Sequence, residues 1–216
     1  MPTIHGAILS PFVRKVRVTC ALKSIETDLV SVFPGSDDPE FRKLSPLGKI
    51  PAYTEGDFFL SDSSVICTYL DKTHPLPTLF PEEPKVLAKA LWYEEYADTE
   101  FFEKSTRIIF FPRVVVGKIL KQAYNEEEVQ TAIDNNLPRI FDYLESQLGA
   151  SNYIVGEHLS IADIAIVSHL VNLGHAGEAV DPGRWPKLVR YSAYHLEQDY
   201  FNKVVAEEKA MIASFQ

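Results

Sequence analysis

The sequence predicts an α/β unit followed by an all-helical bundle, and three observations carry that prediction. Over residues 1–74, short β-branched and aromatic runs alternate with helical patterns in the order βαβ, then ββα. His74 to Pro84, HPLPTLFPEEP, holds four prolines and can be neither a regular helix nor a central strand. Beyond it the apolar residues recur at helical spacing nearly to the end. The boundaries expected are therefore residues 1–74, a proline-rich linker over 75–84, and a helical domain over 85–216.

In order, TIHGAIL reads as a first strand, and PFVRKVRVTCAL, from Pro11, as a helix. Phe12, Val16 and Cys20 form its stripe, with Arg14, Lys15 and Arg17 off it. ETDLVSVF is a second strand. PGSDDPEFRKLSPLGK is a loop with a short helical piece at Glu40 to Leu44. Pro51 to Thr54 and Phe58 to Ser61 form a hairpin around Glu55-Gly56-Asp57. SSVICTYLDKTH closes the unit as a helix burying Val65, Tyr69 and Ile66. Helices then run Lys85 to about Arg107, with a continuation past Pro112 left open, and Glu126–Leu148, Ile161–Asn172, Pro186–Leu196 and Asp199–Ser214.

The chain of 216 residues is 46% hydrophobic, ample for two cores. It has no run of 18 apolar residues, so no membrane span is expected. His5 and Gly6 interrupt any signal-peptide pattern. Cys20 and Cys67, the only cysteines, form no CxxC pair, which argues against a disulfide scaffold or zinc cluster and fits a reducing, cytoplasmic compartment. The net charge of −9 is uneven. Residues 1–74 carry eight Lys/Arg against nine Asp/Glu, and residues 75–216 thirteen against twenty-one. Nucleic acid is a poor partner for such a chain, and an anion fits best in the near-neutral first third.

Four short segments could carry chemistry. Ser10 precedes Pro11 at a helix start, which alone is ordinary capping. In Gly48-Lys49-Ile50-Pro51-Ala52 a proline opens a hairpin strand. A trans bond is the ordinary reading there, whereas a cis bond would turn the chain sharply and release the Ile50 backbone for another partner. Asp62-Ser63 at a helix start offers a carboxylate for an amine, and a hydroxyl with free N–H groups for a carboxylate. This suits the amino-acid end of a zwitterion, although capping is again the default. Ser160-Ile161-Ala162-Asp163 is a variant capping box, with Leu159 and Ile164 as a staple, and its reading is structural.

Together, in this order and spacing, these segments resemble the cytosolic glutathione transferase superfamily over nearly the whole chain, as a serine-type member. The resemblance implies a thioredoxin-like glutathione-binding domain, an all-helical domain, a homodimer and a cis Ile50-Pro51 bond. It implies glutathione as co-substrate and no metal. Ser10 would donate to the glutathione sulfur. Lys49 would approach the glycyl carboxylate, the backbone of Ile50, before Pro51, the cysteinyl amide, and Asp62 and Ser63 the γ-glutamyl end. Asp62 stands where Glu or Gln is usual, which puts the amine contact in doubt. The electrophile side would draw on Leu9, Phe12, Phe102, Arg107, Phe110 and Phe111, for which plain helix core is an equal alternative. Asp98 is a candidate to reach the partner chain's site. The activity implied is conjugation of small hydrophobic electrophiles in detoxification. The alternatives are a glutathione-dependent isomerisation or peroxide reduction, and a non-catalytic binding or regulatory protein on the same fold. An isomerase of the maleylacetoacetate type usually carries Ser-Ser-Cys where this chain has Leu9-Ser10-Pro11.

Overall fold

The computed structural model describes residues 1–215 and divides into two compact units, Met1–Phe80 and the chain from Pro81 onward. The first is thioredoxin-like. Its elements are β1 (Thr3–His5), α1 (Pro11–Leu22), β2 (Asp28–Val30), α2 (Pro39–Leu44), β3 (Ala52–Glu55), β4 (Phe58–Ser61) and α3 (Ser63–Thr73). The sheet order is β2-β1-β3-β4, with β1 parallel to β2 and the other pairs antiparallel.

Both early strands are shorter than the sequence suggests. β1 stops at His5 because the chain turns at once: the Ser10 N–H bonds the Ala7 carbonyl at 3.0 Å. β2 is an edge strand and extends only as far as β1 offers partners, so Phe33 is left largely exposed. The helices also bury faces that differ from the stripes expected. α3 turns Ile66, Cys67 and Leu70 inward, while Val65 is 49% exposed. α1 buries Arg14 and Lys15 along with Val13, Val16, Val18 and Cys20. At 0% and 1% exposed, Arg14 and Lys15 are buried to their charged heads, and a stripe count by residue type misses them.

The division between units falls inside the proline-rich segment, for a physical reason. Lys23 at the end of α1 is 7% exposed; its ammonium donates to Asp71 Oδ1 at 2.8 Å and to the carbonyls of His74 at 2.6 Å and Pro77 at 2.9 Å. The same Asp71 oxygen accepts the Leu79 N–H at 2.9 Å. This buried pair holds the stretch through Leu79 to the first unit. Leu76-Pro77 is cis, as is Ile50-Pro51.

The second unit is all-helical. α4 (Pro84–Tyr96) runs without a break into a π-helical segment, Ala97–Ile119, which carries Pro112 inside it, so the continuation past Pro112 is the one adopted. α5 (Glu126–Gln147), α6 (Ile161–His175), α7 (Pro186–Glu197) and α8 (Asp199–Ala213) follow. Fourteen of the fifteen residues of α6 are buried, which makes it the core helix, and Asp163, Ser168, His169, Asn172 and His175 are buried along with its apolar residues. It packs against α4, α7 and the π-helical segment.

Candidate functional site

The sheet register gathers three of the four sequence segments. His5 of β1 pairs with Ala52 of β3, and Ala52 pairs with Ser61 of β4. The chain leaving β1, the chain entering β3 and the chain leaving β4 therefore meet at one end of the sheet, spread over about 10 Å at the usual strand spacing. Those exits carry Ser10, Lys49 to Pro51, and Asp62 with Ser63. Gly6 lets them close up. A Cβ there would meet Val13 Cγ2 at 2.5 Å and Ile50 Cβ at 3.3 Å, so the first turn of α1 and the Ile50-Pro51 segment both rest against it.

Two helix N-termini point to this end. Ser10 caps α1 in extended conformation, and its hydroxyl accepts the Val13 N–H at 3.4 Å. That bond is long for a cap. It uses a lone pair of the oxygen, and the O–H is a separate donor. α3 is capped by Asp62, whose Oδ1 accepts from the N–H groups of Ser64 at 2.9 Å and Val65 at 3.2 Å. Both capping bonds fall on one oxygen; a carboxylate can accept at its second oxygen as well. Asp62 is exposed and has φ +85, a region non-glycine residues rarely enter and one that tends to be held at binding sites. Neither helix carries an acidic residue in its first turn. The positive end of the α1 macrodipole is thus left for an anion, while that of α3 already faces the Asp62 carboxylate.

Lys49 is exposed, and its carbonyl accepts the Ser45 hydroxyl at 2.7 Å, which fixes the backbone before the cis bond. Ile50 is buried and Ser63 is 5% exposed. Among nearby thiols, burial pushes Cys20 up to about 12, so it is inert.

The electrophile candidates are scattered by burial. Leu9 and Phe110 are 5% and 4% exposed and serve packing, whereas Phe111 is 45% exposed. Arg107 is exposed and pairs with Glu103 one turn back. Phe12 and Phe102 are half-buried, the latter edge-on to His169. Two open clefts of the second unit are lined by other residues, one by Tyr96, Glu100, Lys104, Asn136, Arg139 and Ile140. Among the described residues no group of three His, Cys, Asp or Glu is placed to hold a metal. No helix there is long and apolar enough to cross a membrane.

Sequence reasoning missed Gly6, Lys15 and Ser64. Gly6 was readable as a close-approach glycine at a strand end; no signal in the sequence joins Lys15 to Ser64.

Residues 4–78 match the family model for the glutathione S-transferase N-terminal domain, and residues 115–205 match that for its C-terminal domain. The chain belongs to the glutathione S-transferase superfamily. Among proteins similar to it is glutathione S-transferase Z2 of Arabidopsis thaliana, 26% identical over 208 residues, covering 90% of this chain and 86% of that one. The stringent starvation protein A homolog of Coxiella burnetii is 22% identical over 208 residues, covering 96% and 93%. A glutathione transferase homolog from Drosophila mojavensis, solved with bound glutathione, shares the fold with a TM-score of 0.80 at 23% identity, covering 99% and 95%.

Proposed function

We propose that this member of the family is a glutathione transferase that binds glutathione at the sheet end described above and activates its thiol through Ser10. The observation that carries the reading is the meeting of two helix N-termini, one bearing Ser10 and the other Asp62 and Ser63, at the same end of the sheet as Lys49 and the cis Ile50-Pro51 bond. Each part fits one part of glutathione. Lys49 offers a cation to the glycyl carboxylate, and the Ile50 backbone pairs with the cysteinyl amide. Asp62 takes the γ-glutamyl amine, while Ser63 and the start of α3 take its carboxylate.

The chemistry follows from the thiol. Its reference pKa is about 8.5, and the thiolate is the nucleophile. A hydroxyl donor and the positive end of α1 both favour the anion, and each pKa unit of depression corresponds to about 1.36 kcal/mol. Two units would turn a few per cent thiolate into a majority at pH 7. Ser10 acts as donor, so no general base is required. The electrophile is a small hydrophobic molecule, with Phe12, next to Ser10 and Pro11, as an aromatic contact.

A homodimer belongs to the same reading. In the first unit, Phe58 and Phe59 on the edge strand β4 are 42% and 49% exposed, and Val65 of α3 is 49% exposed. In the second, Leu91 and Trp92 of α4 are 43% and 55% exposed. Apolar surface of this kind is usual where a partner binds, and light scattering should give about twice 24.4 kDa.

A second reading, binding without turnover, is favoured by the likeness over almost the full chain to the stringent starvation protein A homolog. The two readings separate on turnover with a panel of electrophiles. On the first, Ser10→Ala lowers the conjugation rate about 10–1000-fold, the usual loss for one donor to a developing anion, and changes glutathione affinity much less. A rate unchanged by the substitution from pH 6 to 9 would remove the donor role.

A further inference from the structure

We propose that the cleft between α5 and the junction of α4 with the π-helical segment is a separate ligand site, for a dicarboxylic amino acid. It has a volume of about 340 Å³ and is lined from the second unit alone. That volume lies in the range of small-molecule sites.

Three charged side chains line the cleft: Glu100 and Lys104 of the π-helical segment and Arg139 of α5, all exposed. Among the described residues none of the three has an ion pair or a side-chain hydrogen bond. Spacing alone would pair the first two, since a Glu four residues before a Lys is the favourable order on a helix. Glu103 and Arg107 have that spacing in the same segment and do pair. Arg113, which lines the other open cleft of this unit, is likewise held, by Glu126 and Glu178. Glu100, Lys104 and Arg139 therefore keep two cations and one carboxylate open to the same cavity. The rest of the lining is suited to an aliphatic chain. Ile140 is 2% exposed, and Tyr96 is half-buried against Tyr143, with ring centroids 4.8 Å apart. Burial raises the Tyr96 phenol and the Glu100 carboxylate adds to the rise, so the hydroxyl keeps its proton. Asn136 Nδ2 donates to the Lys104 carbonyl at 3.2 Å and ties the two walls together before a ligand arrives. A ligand that satisfies this lining has an ammonium for Glu100 and a carboxylate for each cation, on a short aliphatic chain. Lys104, one turn from Glu100, takes the α-carboxylate next to the ammonium. Arg139, on the facing helix, takes the side-chain carboxylate with its planar fork.

The test is calorimetric titration with L-glutamate, with glutarate, which lacks the ammonium, and with L-glutamine, which lacks the second carboxylate. L-Glutamate should bind once per chain and about 10–100-fold more tightly than either, the range for one lost bond to a charged group. Glu100→Gln should remove the preference over glutarate, and Arg139→Met the preference over L-glutamine. Lys104→Met should weaken both amino acids alike. Glu103→Gln, in the neighbouring pair, should change none of these. All four positions are exposed, so each variant should fold as the unsubstituted protein does. No heat from L-glutamate at millimolar concentration, or preferences kept in Glu100→Gln and Arg139→Met, would overturn the site. So would a change of mass by light scattering in these variants with no effect on the ligand, which would make the cleft a contact between chains.

Discussion

Asp62, followed by Ser63, and Asp163, three residues after Ser160, each serve the start of a helix, one in each unit, and the structure treats them differently. Asp163 is fully buried at the third position of α6. Its Oδ1 accepts from the Ile154 N–H at 2.9 Å and the Tyr191 hydroxyl at 3.0 Å. Its Oδ2 accepts from the Ser160 N–H at 2.9 Å and the Ser160 hydroxyl at 3.1 Å. Asp62 is exposed, with its two capping bonds on one oxygen and a left-handed backbone. A carboxylate whose lone pairs are all used inside the protein is scaffold. One that caps with a single oxygen at a sheet end facing water retains capacity for a ligand. The distinction lies in saturation and exposure, not in the motif.

The largest effect expected from breaking this comparison is on stability. Asp163→Ala leaves three or more buried donors without an acceptor, each worth about 1–3 kcal/mol, so urea unfolding should show a loss of about 3–5 kcal/mol. Glutathione affinity of the folded fraction should be kept. A loss under 1 kcal/mol would show that the network is dispensable. Asp62→Ala should do the reverse. Glutathione binding should weaken by about 1–3 kcal/mol through loss of a charge-assisted partner, while stability falls by only about 1 kcal/mol for the cap. Equal affinity by calorimetry would reduce Asp62 to a helix cap.

A smaller effect appears in the pH dependence. Burial raises the Asp163 carboxyl to about 6 from its ordinary 3.8, against the pull of its hydrogen bonds. A folded pKa above the unfolded one contributes stability that is present below about pH 4 and lost as pH rises to about 6. Burial lowers His195, 3.9 Å away, to about 4 from 6.5, opposed by its bond to the Asn152 carbonyl. That contribution runs the other way: it is present above pH 6.5 and lost as pH falls towards 4. The two slopes oppose each other over the same window. Asp163→Asn should therefore make stability rise with pH between 4 and 6.5 more steeply than in the unsubstituted protein. A shallower rise would contradict the assignment.

Much of the fold was legible because period and punctuation are local: the βαβ–ββα order, the helical remainder and the proline-rich break all rest on neighbouring residues. β1 and β2 came out too long because strand length depends on how many partners the adjoining strand offers. Lys15 and Arg14 were misplaced because one apolar stripe does not describe a helix that also buries two whole cationic side chains, and Val65 because α3 turns Ile66, Cys67 and Leu70 inward instead. Ser10, the Ile50-Pro51 segment and Asp62-Ser63 were legible only together. Each alone is a cap or a strand start, and only the pairing of His5, Ala52 and Ser61 shows that they share one end of the sheet. The Lys15–Ser64 bond joins residues far apart in sequence and left no local trace.

The central claim is that the end of the sheet in the first unit holds glutathione with its sulfur at Ser10. The most direct test is ultraviolet titration of the glutathione thiol bound to the unsubstituted protein and to Ser10→Ala. The account predicts a bound thiol pKa at least one unit below the reference of about 8.5 and a return most of the way to it in the variant. A bound thiol that titrates near 8.5 in both proteins, or equally depressed in both, would contradict it.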